Sequence, residues 1–161
     1  MPRTKTLSAD FYHSSSVFDQ EIKNIFKKEW LWVARSDELS EPGSFLTTEI
    51  IEYPIIVLRD HSGNLRAYHN VCRHRAAKVV SSKSGVCKYM ICPYHGWKYN
   101  LNGQLMDTPK FFANDDFDES RHSLFDILIE ERFGLIFINF KKNSQSLKNW
   151  LGGFDDVVKQ H

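Results

Sequence analysis

Two short words constrain this chain more than any other feature: Cys72-Arg73-His74 and Cys92-Pro93-Tyr94-His95, which read C-x-H, seventeen intervening residues, then C-x-x-H. Matched Cys/His pairs of this kind are a metal-site signature. A structural zinc also accepts two cysteines and two histidines, so the donor types alone leave the metal open. Zinc fingers, however, group a Cys pair and then a His pair, whereas each word here holds one of each. The mixed grouping suits a [2Fe-2S] centre in which two cysteines bind one iron and two histidines the other. Each word then gives one ligand to each iron.

The second word continues as Cys92-Pro93-Tyr94-His95-Gly96-Trp97, and the first as Cys72-Arg73-His74-Arg75. Together they resemble the Rieske domain of the ring-hydroxylating, non-haem iron oxygenases, in their large (alpha) subunit. The resemblance implies a Rieske-type [2Fe-2S] cluster held by Cys72, His74, Cys92 and His95. Rieske proteins of respiratory complexes carry an additional cysteine pair, disulfide-bonded, at positions that are Ala77 and Tyr94 here. They also place a Ser where Trp97 stands, donating towards the cluster. Fewer donors to the sulfurs leave the reduced state less stabilised, so the potential is expected low in the Rieske range of about −150 to +300 mV. One departure is Ala76, where the oxygenases often have Gly; if that turn needs a positive φ, Ala is strained.

With 161 residues, 42% hydrophobic and 14% aromatic, the chain can bury the core of a single domain. No apolar run approaches the roughly 20 residues that span a bilayer, and Met1–Lys5 is followed by no signal-peptide core. Three cysteines are too few for a disulfide framework. Cys87, left over, reads as a small buried hydrophobe in a strand. A reducing, cytoplasmic setting fits.

The net charge of +1 gives no support for nucleic-acid binding. Its distribution is uneven. From His61 to Met106 there is no acid, but Arg66, Arg73, Arg75, Lys78, Lys83, Lys88 and Lys98 are present, while Asn114 to Glu131 carries seven acids against Arg121. Either these are solvated loop charges, or they stabilise an added electron and steer a negatively charged redox partner.

In chain order, Ser14-Ser15-Ser16 offers an N-cap to a helix bearing Asp19 and Glu21 early and Lys27 and Lys28 late. Phe18, Ile22, Ile25, Phe26 and Trp30 follow a helical period, so residues 1–30 read as a helical leader packing on a sheet. Strand signals follow over Ser44–Glu52, Tyr53–Arg59, Leu65–Asn70, Cys87–Cys92, Trp97–Leu101, Gln104–Met106, Ile127–Ile129 and Gly134–Phe140. They are punctuated by Glu41-Pro42-Gly43, Asp60–Asn64 and Asn102-Gly103. The expected fold is mostly β: an antiparallel Rieske-type β-sandwich with an N-terminal helix and a small cluster-binding subdomain over 70–106. His95 and His74 are expected near the surface, with Tyr94, Trp97 and Tyr99 shielding the sulfurs or simply packing. His69 reads as structural; His13, His61, His122 and His161 carry no ligand pattern.

In the family, a second domain holds mononuclear iron on two histidines and a carboxylate, a constellation not read here, so no catalytic residue is expected in this chain. Residues 150–161 resemble the junction where that domain would begin. The resemblance therefore implies an electron-transfer unit, taking single electrons from a reductase or ferredoxin. It would pass them to a mononuclear-iron domain across the subunit boundary of a homotrimer, with His95 facing a bridging acid. The leader running into Trp30 and the spacing look closest to subunits acting on small quaternary amines, aromatic substrates being the other class. A stand-alone Rieske ferredoxin and a zinc-stabilised module are the alternatives.

Overall fold

A computed structural model describes residues 6–109 and 117–158; Met1–Lys5, Asp115, Asp116 and His161 lie outside the described residues. The chain opens with two short helices, α1 (Asp10–His13) and α2 (Ser15–Glu21), and a π-helical turn over Ile22–Phe26. Ten strands follow: β1 (Leu31–Arg35), β2 (Ser44–Ile50), β3 (Tyr53–Arg59), β4 (Leu65–His69), β5 (Ser84–Val86), β6 (Met90–Ile91), β7 (Lys98–Tyr99), β8 (Leu105–Asp107), β9 (Leu128–Arg132) and β10 (Leu135–Asn139). Helices α3 (Leu147–Leu151) and α4 (Phe154–Val158) close the described part.

The strands form three antiparallel sheets, in the orders β1-β10-β9, β4-β3-β2-β5 and β6-β7-β8. Strand β3 explains the layering. Its run Ile55-Ile56-Val57-Leu58 is buried on both faces, which is why it does not alternate with polar residues. Ile55 and Val57 pack with Ala34, Ile136 and Ile138 of the β1-β10-β9 sheet. Ile56 and Leu58 face Met90, Tyr99 and Leu105 of the β6-β7-β8 sheet, in a core that also holds Trp97, Cys72 and Cys92. Burying one such aliphatic side chain is worth about 1.5–3 kcal/mol, so β3 ties both layers together.

Turn chemistry fixes the registers. The Asp60 carboxylate, 3% exposed, accepts from the Ser62 and Asn64 amides at 2.9 Å each and from Arg66 Nε at 2.9 Å. Burial opposes its ionisation, but these donors hold its pKa below the usual carboxylate range. In the β7–β8 hairpin Gly103 has φ +77°, and a Cβ there would stand 2.5 Å from the Tyr68 ring. The β2–β3 hairpin carries no turn signal in sequence, yet Ile51 and Glu52 both take positive φ, as a two-residue turn of that hand demands.

The leader departs from expectation. After Glu21 the helix widens into the π-turn, the Ser14 hydroxyl meets Ser16 Oγ instead of capping the backbone, and α1, α2 and the π-turn bury no residue. Phe18 and Ile25 are about half exposed and Ile22 and Phe26 partly buried, so among the described residues most of the periodic face is not packed away. Only Trp30, at its end, is buried, with its indole N–H donating to the Gln145 carbonyl. Cys87 also differs: it is half-buried and lies just beyond β5, its amide donating to the Gly43 carbonyl. Burial pushes its thiol pKa up.

Candidate metal centre

The two words form loops built on one backbone pattern. In the first, which follows β4, the Cys72 carbonyl accepts from the Ala76 amide at 3.0 Å, and the Cys72 amide donates to the Ala77 carbonyl at 2.8 Å. In the second, between β6 and β7, the Cys92 carbonyl accepts from Gly96 and the Cys92 amide donates to Trp97, both at 2.9 Å. Each loop turns through a residue at positive φ, Ala76 (+58°) and Gly96 (+77°). Ala76 thus occupies the conformation in which its departure from Gly carries strain.

Asn70, buried before the first loop, pins its return. Its amide nitrogen donates to the Val80 carbonyl at 2.7 Å, and its amide oxygen accepts from the Val80 N–H at 2.9 Å. The two loops are then tied together by Tyr99. Its hydroxyl lies 3.4 Å from Cys72 Sγ and accepts from the Arg73 amide at 3.0 Å. Once Cys72 is a thiolate, as a metal-bound cysteine is, only the Tyr99 hydroxyl can donate in this contact. Burial, followed by the Cys72 thiol, raises the Tyr99 pKa, so the hydroxyl keeps its proton.

Four side chains come together at this tip. Both thiols are buried, and Cys72 and Cys92 lie within hydrogen-bonding reach of each other. Burial pushes the Cys92 thiol up in pKa, against the pull of the Tyr94 and His95 amides that point at its sulfur. The His74 and His95 rings meet edge to face, with centroids 4.7 Å apart. Burial, then the neighbouring His95 and Arg75, lowers the His74 pKa and favours the neutral imidazole that binds metals. Trp97, 2% exposed, stacks on His74 at 4.8 Å with an interplanar angle of 8°. Phe117 and His122 meet the Trp97 indole edge-on. Tyr94 is exposed and lies over the His95 ring at 3.9 Å.

The donor set therefore arrives as a thiol pair and an imidazole pair. Among the described residues, no group of three or more His, Cys, Asp and Glu side chains is placed to hold one metal ion. A tetrahedral zinc needs four donors around one point, whereas a Rieske centre asks two thiolates of one iron and two imidazoles of the other. The arrangement fits the second.

Residues 29–117 match the family described as the Rieske [2Fe-2S] domain. The chain belongs to this family. A Rieske-type [2Fe-2S] cluster is the cofactor that membership implies. The chain is 35% identical over 150 residues to the carnitine monooxygenase oxygenase subunit of Acinetobacter baumannii, covering 93% of this chain and 40% of that one. It is 34% identical over 153 residues to the glycine betaine monooxygenase oxygenase subunit of Chromohalobacter salexigens, covering 95% and 34%. The crystal structure of the apo form of the quaternary ammonium Rieske monooxygenase CntA superposes with a TM-score of 0.90 at 35% identity, over 96% of this chain and 45% of that one. The chain thus spans well under half the length of these oxygenase subunits, and matches them as a Rieske domain does, by the mostly antiparallel β fold.

Other expectations sort themselves around this site. His69 sits three residues before the first word but points elsewhere, into an aromatic cluster with Tyr53 and Phe140. His122, read as an uninvolved loop histidine, packs on Trp97 behind His74. Of the seven cations, Arg66 pairs with Asp60 and Lys78 with Glu49, while Arg73 lies 3.7 Å over the Phe125 ring. Sequence reasoning did not single out Asn70 or the Tyr99 hydroxyl. A polar residue two positions before C-x-H, and a Tyr two residues after Trp97, were the available signals. No helix among the described residues is long and apolar enough to cross a membrane.

Proposed function

We propose that Cys72 and Cys92 hold one iron and His74 and His95 the other, in a chain that serves as the electron-transfer domain of a mononuclear-iron oxygenase. The observation that carries this reading is the convergence of a buried thiol pair and an imidazole pair on two loops of one design. When bound, the [2Fe-2S] group supplies one-electron redox chemistry. The protein's residues do the rest. The Tyr94 and His95 amides and the Tyr99 hydroxyl aim positive dipoles at the cysteine sulfurs, stabilising thiolate charge. Trp97 locks the His74 ring and Tyr94 covers His95, limiting the approach of water.

In this reading the domain works in the cytoplasm, takes electrons from a reductase or ferredoxin and delivers them through His95 to a catalytic domain in a homotrimer. The relatives named for carnitine and glycine betaine favour a small quaternary amine as the parent enzyme's substrate.

The test is visible absorption and low-temperature EPR of the purified protein, before and after dithionite. A red-brown protein with a rhombic Rieske signal on reduction is expected. A colourless, EPR-silent protein with stoichiometric zinc overturns the reading.

A further inference from the structure

The segment from β5 to β6 exposes apolar surface that neither adjoining core uses. Val86 is 63% exposed, Ile91 54% and Tyr89 41%. Ile91 pairs with Lys98 across β6 and β7, which puts both on the outer face, opposite the buried Met90 and Tyr99. A groove of about 290 Å³ runs beside them, lined by Phe45, Val79, Cys87, Tyr89, Ile91 and Pro93 among others. Two sheet edges border it, β5 at the end of the four-stranded sheet and β6 at the end of the three-stranded one. Its floor reaches Pro93, the residue bonded to Cys92, while neither histidine of the two words lines it.

The surrounding charge is mainly cationic, with Asp107 of β8 standing opposite Lys98 in the register. Lys88 is exposed next to Tyr89, Lys98 Nζ lies 3.8 Å over the Tyr89 ring, and the chain from His61 to Met106 contains no acid. An apolar centre with a cationic rim matches a protein whose contact face is apolar with a carboxylate rim.

We propose that this groove is the docking face for an acidic electron-donor protein, so that electrons arrive on the Cys92–Pro93 side and leave on the His95 side. The inference rests on the proposed function: the donor's iron–sulfur centre is oxidised by one electron and the cluster of this chain is reduced by the same electron. Lys88 and Lys98 steer the encounter, and Ile91 and Tyr89 supply the contact that holds it.

A plant-type [2Fe-2S] ferredoxin, acidic and with a potential near about −400 mV, is a suitable probe because transfer to a Rieske centre is downhill. Two quantities are read on the cluster-loaded protein: the affinity for oxidised ferredoxin, by interferometry, and the second-order rate of reduction by reduced ferredoxin, by stopped flow. For Lys88→Glu and Ile91→Glu both fall about tenfold or more, as expected for loss of steering and contact. Reduction by dithionite, the EPR signal and the potential stay as in the wild type, and so does ferredoxin reduction of the charge-matched control Lys148→Glu on α3. The wild-type rate also falls as salt is added. Wild-type affinity and rate in both groove variants, or a rate indifferent to salt, overturn the docking face and leave the groove to a second copy or a catalytic domain. A purified protein without a Rieske EPR signal instead overturns the proposed function, and the docking face with it.

Discussion

The two ligand loops share a hydrogen-bonded frame but are finished differently. In both, the cysteine carbonyl accepts from the residue four positions on, and its amide donates to the carbonyl five positions on. Within that frame the histidine stands two residues after Cys72 but three after Cys92, so the same turn presents its imidazole at different angles. The first loop is anchored from outside, by Asn70 on Val80 and by Arg73 on Tyr99. The second is closed by fit: a Cβ on Gly96 would stand 2.9 Å from Pro109 Cγ. One backbone device can thus serve two ligand spacings when the supporting contacts are changed around it.

Removing a thiol is the harshest way to break the comparison. Cys72→Ser and Cys92→Ser are both expected to abolish the cluster, since each leaves one iron a single protein thiolate. A normal visible spectrum from either variant argues against that cysteine as a ligand. His74→Cys asks whether position two of the first loop belongs to the histidine-bound iron. The variant is expected to keep a cluster whose potential moves towards the about −400 mV of all-cysteine sites. Voltammetry showing an unchanged potential would remove His74 from the set.

Gly96→Ala attacks the frame instead of the donors. A left-handed conformation costs a non-glycine residue roughly 1–2 kcal/mol, and the clash with the Pro109 ring adds to it, for a loss of about 2–3 kcal/mol. Denaturant unfolding measures this; a loss of only about 1–2 kcal/mol, the backbone cost alone, would mean that Pro109 gives way freely.

Tyr99→Phe tests the external anchor. The hydroxyl donating to Cys72 Sγ stabilises the more negative, reduced state, a contribution missed when Trp97 alone was compared with the Ser of respiratory proteins. Its removal is expected to lower the potential by roughly 40 mV for each kcal/mol of hydrogen bonding lost. Spectroelectrochemistry showing no fall would show that the hydroxyl proton points away from the sulfur.

These contrasts mark where the sequence was legible. Strand β3 matches its expected bounds because the β-branched run Ile55-Ile56-Val57, extended by Leu58 up to the Asp60 turn, permits little else. The loop pair and the Asn102-Gly103 turn could be read from local chemistry, while a positive φ at Ala76 was suggested only by the Gly that the resembling family often has there. The pairing of β1 with β10, more than ninety residues away in the chain, could not, nor could the brief β5, which exists because it adds to the edge of β2. The β2–β3 turn was hidden by Ile51, a β-branched residue in a conformation that such residues avoid. The leader misled for the opposite reason. Its period is real, but among the described residues only its Trp30 end is buried, and Phe18 and Ile25 stay about half exposed. At the site, donor types and spacing were visible, whereas the Tyr99 contact depends on two strands meeting.

The mildest change sharpens the comparison most directly. Ala76 and Gly96 occupy equivalent turns, yet an added side chain at Gly96 meets Pro109, while Ala76 is solvent-exposed at φ +58°. Ala76→Gly relieves a left-handed strain of roughly 1–2 kcal/mol but gives the unfolded chain about 0.4–1 kcal/mol of extra freedom. The difference favours the variant by about 0.5 kcal/mol, a small rise in denaturation midpoint at unchanged m-value. Because the carbonyl and amide of Cys72 are held by the same frame either way, its potential and EPR signal should match the wild type. A less stable Ala76→Gly protein would mean that the Ala76 methyl restrains the first loop in the unfolded chain more than it strains the folded one. The two loops would then differ in how they are rigidified, by side-chain restriction at Ala76 and by close packing at Gly96.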